Sequence, residues 1–127
     1  MREAPSLSDS RRVLIVDDQP TFREAARRLL ERRGYSVIGE AGCGASALDA
    51  VQRHAPNAVL LDVRLGDDDG FEVCSELTRA RPGLAVLLAS DTDYEHSNDV
   101  LARAGACGFI RKSHLPHTDL EQFWPRG

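Results

Sequence analysis

Short apolar runs that end at charged or hydroxyl side chains are the feature that most restricts how this chain folds. The runs and their ends are residues 13–16 before Asp17 and Asp18, 59–61 before Asp62, 86–89 before Ser90, and 109–110 before Arg111 and Lys112. Such runs, separated by amphipathic stretches of helical length, are typical of strands buried in a parallel sheet. Ligands bind beyond the carboxyl ends of those strands, so we expect these polar side chains to share one pocket.

The spacing of apolar residues and helix-ending signals predicts five strands alternating with helices. We predict strands at residues 12–16, 36–40, 58–61, 85–89 and 107–110, and helices at 20–33, 45–54, 70–80 and 94–104. Thr118 and Glu121 match a capping box, which predicts a final helix of only about six residues, through Trp124. This order predicts an α/β fold, a (βα)5 doubly wound parallel five-stranded sheet with helices on both faces.

The composition fits one globular domain. The chain has 127 residues, of which 42% are hydrophobic and 28% charged, and no apolar stretch is long enough to cross a membrane. Residues 1–10 lack the pattern of a secretory signal, so we expect a disordered lead-in, a single domain over 11–127 and a cytoplasmic location. The net charge of −4 argues against nucleic-acid binding. The three cysteines lack metal-site spacing, which predicts reduced structural thiols.

The strand-end residues form a chemically coherent set. Adjacent ionised carboxylates repel each other, so Asp17, Asp18 and Asp62 are expected to bind a cation, and oxygen ligands favour Mg²⁺. A carboxylate beside Mg²⁺ is a plausible nucleophile towards a phosphoryl group. Lys112 supplies a positive charge for phosphoryl oxygens, and the Ser90 hydroxyl supplies a hydrogen-bond donor. The residues therefore predict formation of an aspartyl phosphate.

Four motifs carry a resemblance to a known family. They are VLIVDDQP, VLLDVRLGDDDG, VLLAS and GACGFIRKS, and the intervals between their polar residues follow the same family pattern. Over about residues 12–113 the chain resembles the receiver domain of two-component response regulators. The resemblance implies a flavodoxin-like, receiver-type fold and a single receiver domain over 11–127. The stretch GEAGCGASALDAV is similar to receivers that precede helix-turn-helix output domains, but we expect this receiver to stand alone.

The resemblance also implies roles for individual residues. Asp62 would be the phosphoacceptor, supplied by a histidine kinase or a phosphotransfer protein, with Lys112 as a catalytic residue. Asp17, Asp18, Asp62 and the backbone carbonyl of Arg64 would hold Mg²⁺. The chain would then be a signalling protein rather than an enzyme.

Two further residues are assigned to the switch by the same resemblance. Ser90 would move towards the phosphoryl group, and the rotamer of Phe109 would report phosphorylation on the face formed by helix four, strand five and helix five. A homodimer through that face, or an unidentified downstream protein, would read the switch. Plain core packing is an alternative role for Phe109.

Three alternative functions remain open from the sequence. The first is a receiver-like interaction module that works without phosphorylation. The second is a dinucleotide-binding enzyme, because Gly42 and Gly44 fit the G-x-G-x-x-G/A pattern and Asp62 follows at a suitable distance. The third is a hydrolase of the aspartyl-phosphate type, which is weakened because Gln19 and Pro20 stand where an acid is usual.

Three positions depart from the usual receiver pattern. Asp91 follows Ser90 where a small residue is usual, and Arg64 lies two residues after the proposed acceptor. We predict that these two side chains slow phosphoryl exchange. Ser113 follows Lys112 in place of the frequent proline, which leaves a cis peptide bond there in doubt.

Overall fold

The computed structural model of the protein describes residues 11–92 and 98–124. The strands are β1 Arg12–Val16, β2 Ser36–Ala41, β3 Ala58–Asp62, β4 Arg64–Leu65, β5 Asp68–Asp69, β6 Ala85–Ser90 and β7 Ala106–Arg111. The α-helices are α1 Pro20–Arg32, α2 Gly44–His54, α3 Gly70–Ala80 and α4 Asn98–Ala104. The predicted lead-in at 1–10 and the predicted start of α4 at residue 94 lie outside the described residues.

The main sheet confirms the predicted (βα)5 fold. Its strand order is β2-β1-β3-β6-β7, and all neighbouring strands are parallel. All residues of the central strand β3 are buried, as expected for a strand with helices on both faces. The chain reverses its direction of winding between β1 and β3, so the crevice at their carboxyl ends is the expected ligand site. No helix in the part of the chain that is described is long and apolar enough to span a membrane.

Alternate residues of the strands pack into two separate hydrophobic cores. Leu14 and Val16 of β1 face the core that includes α2 and α3, whereas Val13 and Ile15 face the core that includes α1. All four side chains are fully buried. Complete burial of a Val, Leu or Ile side chain stabilises a fold by about 1.5–3 kcal/mol, so both cores hold β1 firmly in the sheet.

The predicted final helix is wrong. Two 3-10 helices, Lys112–His117 and Leu120–Gln122, follow β7 instead. Thr118 is not the N-cap of the final turn; it ends the first 3-10 helix, and its hydroxyl donates a hydrogen bond to the carbonyl of His114 at 2.7 Å. Asp119 is the cap, accepting from the amide of Glu121 at 3.1 Å. The turn therefore begins one residue later than predicted and remains short.

Aromatic side chains anchor the C-terminal segment to the rest of the fold. Trp124 is fully buried, and its Nε1 donates to the carbonyl of Ala85 at 3.2 Å. Its ring meets that of Tyr35 edge to face at a centroid distance of 5.7 Å. Phe123 lies over Gly108, where a β-carbon would overlap the phenyl ring. These contacts fix the C-terminal segment against the α1 side of the sheet.

Candidate functional site

Four polar residues are buried together at the carboxyl edge of the sheet. Asp17 follows β1, Asp62 ends β3, Ser90 ends β6 and Lys112 follows β7. Each is less than 10% exposed, although each belongs to a residue type that usually lies at the surface. The structure thus brings together four of the strand-end residues that were predicted to share one pocket.

Lys112 is the central cation of this pocket. Its Nζ lies 2.6 Å from Oδ2 of Asp17, 3.2 Å from Oδ2 of Asp62 and 3.9 Å from Oδ1 of Asp91. The first two contacts are buried, whereas the Asp91 side chain is 66% exposed. Asp17 is therefore the main partner of Lys112, and Asp62 receives only part of its charge.

Burial and the contacts between Lys112 and the two acids set the pKa shifts in the pocket. Burial alone would lower the pKa of Lys112, but its contacts with Asp17 and Asp62 outweigh burial and raise that pKa. Burial raises the pKa of Asp62, and the negative charge of Asp17 adds to this shift. The hydrogen bond from the Arg64 amide and the charge of Lys112 oppose it without reversing it. An additional cation near Asp62 would relieve the cost of ionising this acid.

The carboxylates of Asp17, Asp18 and Asp62 form a fitting set for a hard metal ion. One oxygen from each lies within 4.8 Å of the others. Asp18 is exposed, and with Asp62 and Asp91 it lines a cavity of about 300 Å³ that also contains Ser90. An oxygen-only ligand set beside an open cavity suits Mg²⁺, which retains several water ligands.

The loop after β3 is held by backbone contacts around Asp62. The amide of Arg64 donates to Oδ1 of Asp62 at 3.1 Å. A β-carbon on Gly70 would overlap the backbone of Asp62 and Val63, so only glycine fits this close approach. Asp69 caps α3 by accepting from the amide of Phe71 at 2.8 Å.

Sequence reasoning missed the role of Asp68. The sequence does not single out this acid, but its Oδ2 accepts from the amide of Gly44 at 2.9 Å. A carboxylate at a helix N-terminus satisfies a free amide and interacts favourably with the helix dipole. This contact links the loop after β3 to α2. The absence of an acid in the first turn of α2 was the available signal, but it does not identify the distant partner.

The arrangement at Gly44 also argues against the dinucleotide alternative. In that alternative the free amides at the start of α2 would bind a pyrophosphate. Asp68 already accepts from the Gly44 amide, and its negative charge would repel a phosphate. A β-carbon on Gly44 would lie 3.0 Å from Cγ2 of Val73, so helix packing accounts for the glycine.

The predicted switch residues lie in two different environments. Ser90 is buried, and its Oγ accepts from the amide of Thr92 at 3.2 Å. Phe109 is half-buried and packs beside the core that contains α2 and α3. Part of the Phe109 side chain is therefore buried by packing against this core, and the switch role of Phe109 stays a prediction. No cis peptide bond occurs within 11–92 or 98–124, including the Lys112–Ser113 bond.

The cysteines differ more than predicted. All three are free thiols, but only Cys74 is buried, whereas Cys43 and Cys107 are exposed. Cys43 precedes α2 and contacts the Ser46 hydroxyl at 3.3 Å. The prediction of reduced thiols is confirmed, but only the buried Cys74 has the environment of a structural thiol, because a position beside glycine in a turn or in the edge strand β7 does not ensure burial.

Comparison with known proteins places these features in a family. BvgA of Bordetella pertussis, named as a positive transcription regulator of virulence factors, is 35% identical over 106 residues, which are 84% of this chain and 51% of BvgA. The chain spans about half the length of curated relatives that it matches, such as BvgA.

Solved structures share the same fold. A LuxR-family two-component response regulator from Aurantimonas sp. SI85-9A1 is 31% identical with a TM-score of 0.80, covering 89% of this chain and 81% of that one. A response regulator from Burkholderia pseudomallei, crystallised with a phosphorylated aspartic acid, calcium and citrate, is 25% identical with a TM-score of 0.75. That match covers 90% of this chain and 66% of the other.

The family match covers almost all described residues. The match to the response regulator receiver domain covers residues 13–122. This range contains the whole polar pocket and every strand residue except Arg12, the first residue of β1. Receiver domains are generally signalling modules rather than enzymes, and they interact with histidine kinases or phosphotransfer proteins. The chain therefore belongs to the response regulator receiver domain family and is a signalling domain of two-component systems.

Proposed function

We propose that this receiver is switched by phosphorylation of Asp62, with a histidine kinase or a phosphotransfer protein as the donor. The observation that carries the proposal is the placement of the Asp62 carboxylate. It lines an open cavity, and its Oδ2 lies 3.2 Å from the ammonium group of a buried lysine. The buried acceptor carboxylate thus borders the space that a donor would enter, with a positive charge beside it.

The transfer step follows from this geometry. An Asp62 oxygen forms a bond to phosphorus while the bond from phosphorus to the histidine nitrogen of the donor breaks, and the electron pair of that bond leaves with the imidazole. Lys112 is placed to neutralise charge on the phosphoryl oxygens that arrive beside Asp62. Its buried contact with Asp17 holds the ammonium group in this position.

Asp17, Asp18, Asp62 and the backbone carbonyl of Arg64 are the residues that we assign to Mg²⁺. When bound, the ion would neutralise charge on the carboxylates and on the phosphoryl oxygens. The support from the structure is the cluster of carboxylate oxygens described above. The contact of the Arg64 amide with Asp62 supports the inclusion of this residue in the assignment.

The output follows from the two predicted switch residues. Phosphorylation would give the Ser90 hydroxyl an acceptor for its proton, while its oxygen accepts from the Thr92 amide, and Phe109 would repack in response. We assign partner binding or homodimer formation to the face formed by α4, β7 and the C-terminal 3-10 helices. Control of transcription is the output that similar regulators, such as BvgA, suggest for the whole protein.

The test is phosphorylation by a small donor. The protein is incubated with Mg²⁺ and phosphoramidate, its intact mass is measured, and the product is treated with hydroxylamine. We expect one added phosphate that hydroxylamine removes, that requires Mg²⁺ and that is absent from Asp62→Asn. Asp67→Asn is the matched control, because Asp67 is an exposed loop acid that does not line the cavity.

Two results would overturn the proposal. One is the lack of any adduct on the folded wild-type protein, which would favour a receiver-like module that works without phosphorylation. The other is an adduct that persists in Asp62→Asn, which would place the acceptor elsewhere. Tight binding in a nicotinamide-dinucleotide titration would instead revive the dinucleotide alternative.

A further inference from the structure

Asp91 lies at the entrance to the phosphoacceptor pocket. It directly follows Ser90, lines the same cavity as Asp62 and has a side chain that is 66% exposed. Its Oδ1 is 3.9 Å from Nζ of Lys112. A donor that approaches Asp62 through this cavity must therefore bring its phosphoryl oxygens near the carboxylate of Asp91.

The charges around the cavity make this position unfavourable for anions. Asp18, Asp62 and Asp91 line the cavity, and Arg64 is the one basic residue among the described side chains that line it. Lys112 is already engaged by Asp17 and Asp62. Asp91 adds negative charge and also draws on the field of the same lysine, so both effects weaken attraction for an anionic donor.

We propose that Asp91 is a specificity-determining residue that disfavours small, highly charged phosphodonors. This inference rests on the proposed phosphorylation of Asp62. In the reaction with acetyl phosphate, an Asp62 oxygen bonds to phosphorus as the bond from phosphorus to the acetate oxygen breaks, and acetate leaves with the electron pair. Asp91 takes no part in these bonds and acts through its charge on the approach of the dianion.

The solvent exposure of Asp91 limits how much its charge is expected to change the rate of phosphorylation. Asp91 is largely exposed, so water and salt screen its charge more than that of a buried acid. Removing one such charge beside the route of an anion is expected to accelerate its reaction by about threefold to tenfold. The gain should be larger for a dianionic donor than for a monoanionic one, and it should shrink as ionic strength rises.

Asp91→Asn tests this proposal because the substitution removes the charge and preserves the shape. Rates of Asp62 phosphorylation are measured by intact mass with acetyl phosphate, a dianion at neutral pH, and with phosphoramidate, a monoanion. We expect acetyl phosphate to label Asp91→Asn about threefold to tenfold faster than wild type at low salt, with a smaller gain for phosphoramidate. Asp67→Asn carries the same charge change outside the cavity and should label at the wild-type rate.

The possible failures are distinguishable. If wild type is labelled but Asp91→Asn reacts no faster than Asp67→Asn, the role of Asp91 is refuted while phosphorylation of Asp62 stands. If Asp91→Ala reacts faster and Asp91→Asn does not, side-chain bulk rather than charge controls access, which also refutes the proposal. If neither donor labels the folded wild-type protein, the proposed function itself fails.

Discussion

Nζ of Lys112 lies over the aromatic ring of Phe22, 4.5 Å from the ring centroid. Phe22 belongs to α1 and is half-buried against the core on that side of the sheet. A lysine ammonium group at this distance from a phenyl ring is attracted by the negative face of the ring. Together with the contacts to Asp17 and Asp62, this interaction fixes the position of the buried ammonium group.

Replacing Phe22 with leucine should weaken the hold on Lys112. The substitution keeps an apolar side chain but removes the ring, so we expect a loss of about 1 kcal/mol in unfolding free energy and a severalfold slower phosphorylation of Asp62. Urea unfolding and intact-mass kinetics measure the two effects. Phe71→Leu, which alters a half-buried phenylalanine beside the opposite core, is the control. Equal labelling rates for the two variants would refute a positioning role for Phe22.

The metal-free protein should be destabilised by ionisation of Asp62. The pKa of Asp62 is raised in the folded state, mainly by burial. Its stabilising contribution is therefore complete below the pKa of the unfolded chain and is lost as the pH rises through the folded value. We expect Asp62→Asn to raise the unfolding free energy at neutral pH in the presence of a chelator, and to reduce the loss of stability between acidic and neutral pH.

Added Mg²⁺ should reverse this order of stabilities. An ion that binds only the folded state at a concentration of 100 times its dissociation constant adds about 2.7 kcal/mol of stability. We expect the wild type to gain more from Mg²⁺ than Asp62→Asn, as measured by thermal unfolding at several pH values. An equal gain for both proteins would count against Asp62 as a ligand.

Asp68 should stabilise α2 from the neighbouring loop. Because its carboxylate accepts from the Gly44 amide, Asp68→Ala leaves that amide without this partner and should cost about 1 kcal/mol of unfolding free energy. Asp67→Ala removes an adjacent exposed acid and should change stability by less than about 0.5 kcal/mol. Denaturant titration of both variants provides the comparison, and equal losses would show that the Asp68 contact contributes nothing of its own.

The three thiols should differ in reactivity. Hydrogen bonds from Ser46 lower the pKa of Cys43, whereas burial raises the pKa of Cys74 to about 12. Iodoacetamide reacts with thiolates, so we expect Cys43 to be alkylated first, with a rate profile displaced to lower pH, and Cys74 to be protected in the native state. Peptide mapping after timed quenching measures the order. Ser46→Ala should slow Cys43 alone, and fast alkylation of Cys74 would contradict the described packing.

The parts of the site that were predictable are those set by strand ends. Apolar runs identify buried strands, and a residue that directly follows such a run lies at the sheet edge whatever the loop does next. Asp17, Asp62 and Ser90 follow this rule and Lys112 lies one residue further along, so their convergence was predictable from strand ends. Their separate roles came from the family resemblance, because position alone does not distinguish a metal ligand from an acceptor.

The parts that were missed depend on contacts between distant residues. The partner of the Gly44 amide is a carboxylate from the loop after β3, and no local pattern identifies such a pair. The C-terminal segment contains a plausible capping box, but Asp119 offers a competing cap and Trp124 is anchored in the core. Tertiary contacts therefore outweigh the local helix signals in this short terminal segment.

The most direct test of the central claim locates the acyl phosphate on the chain. After reaction with phosphoramidate and Mg²⁺, borohydride reduces an aspartyl phosphate to homoserine, and tandem mass spectrometry of the peptides identifies its position. We expect homoserine at position 62 alone, and none when the donor or Mg²⁺ is omitted. Homoserine at another acid, or its absence from position 62 in a protein that has gained a phosphate, would contradict the assignment of Asp62 as the phosphoacceptor.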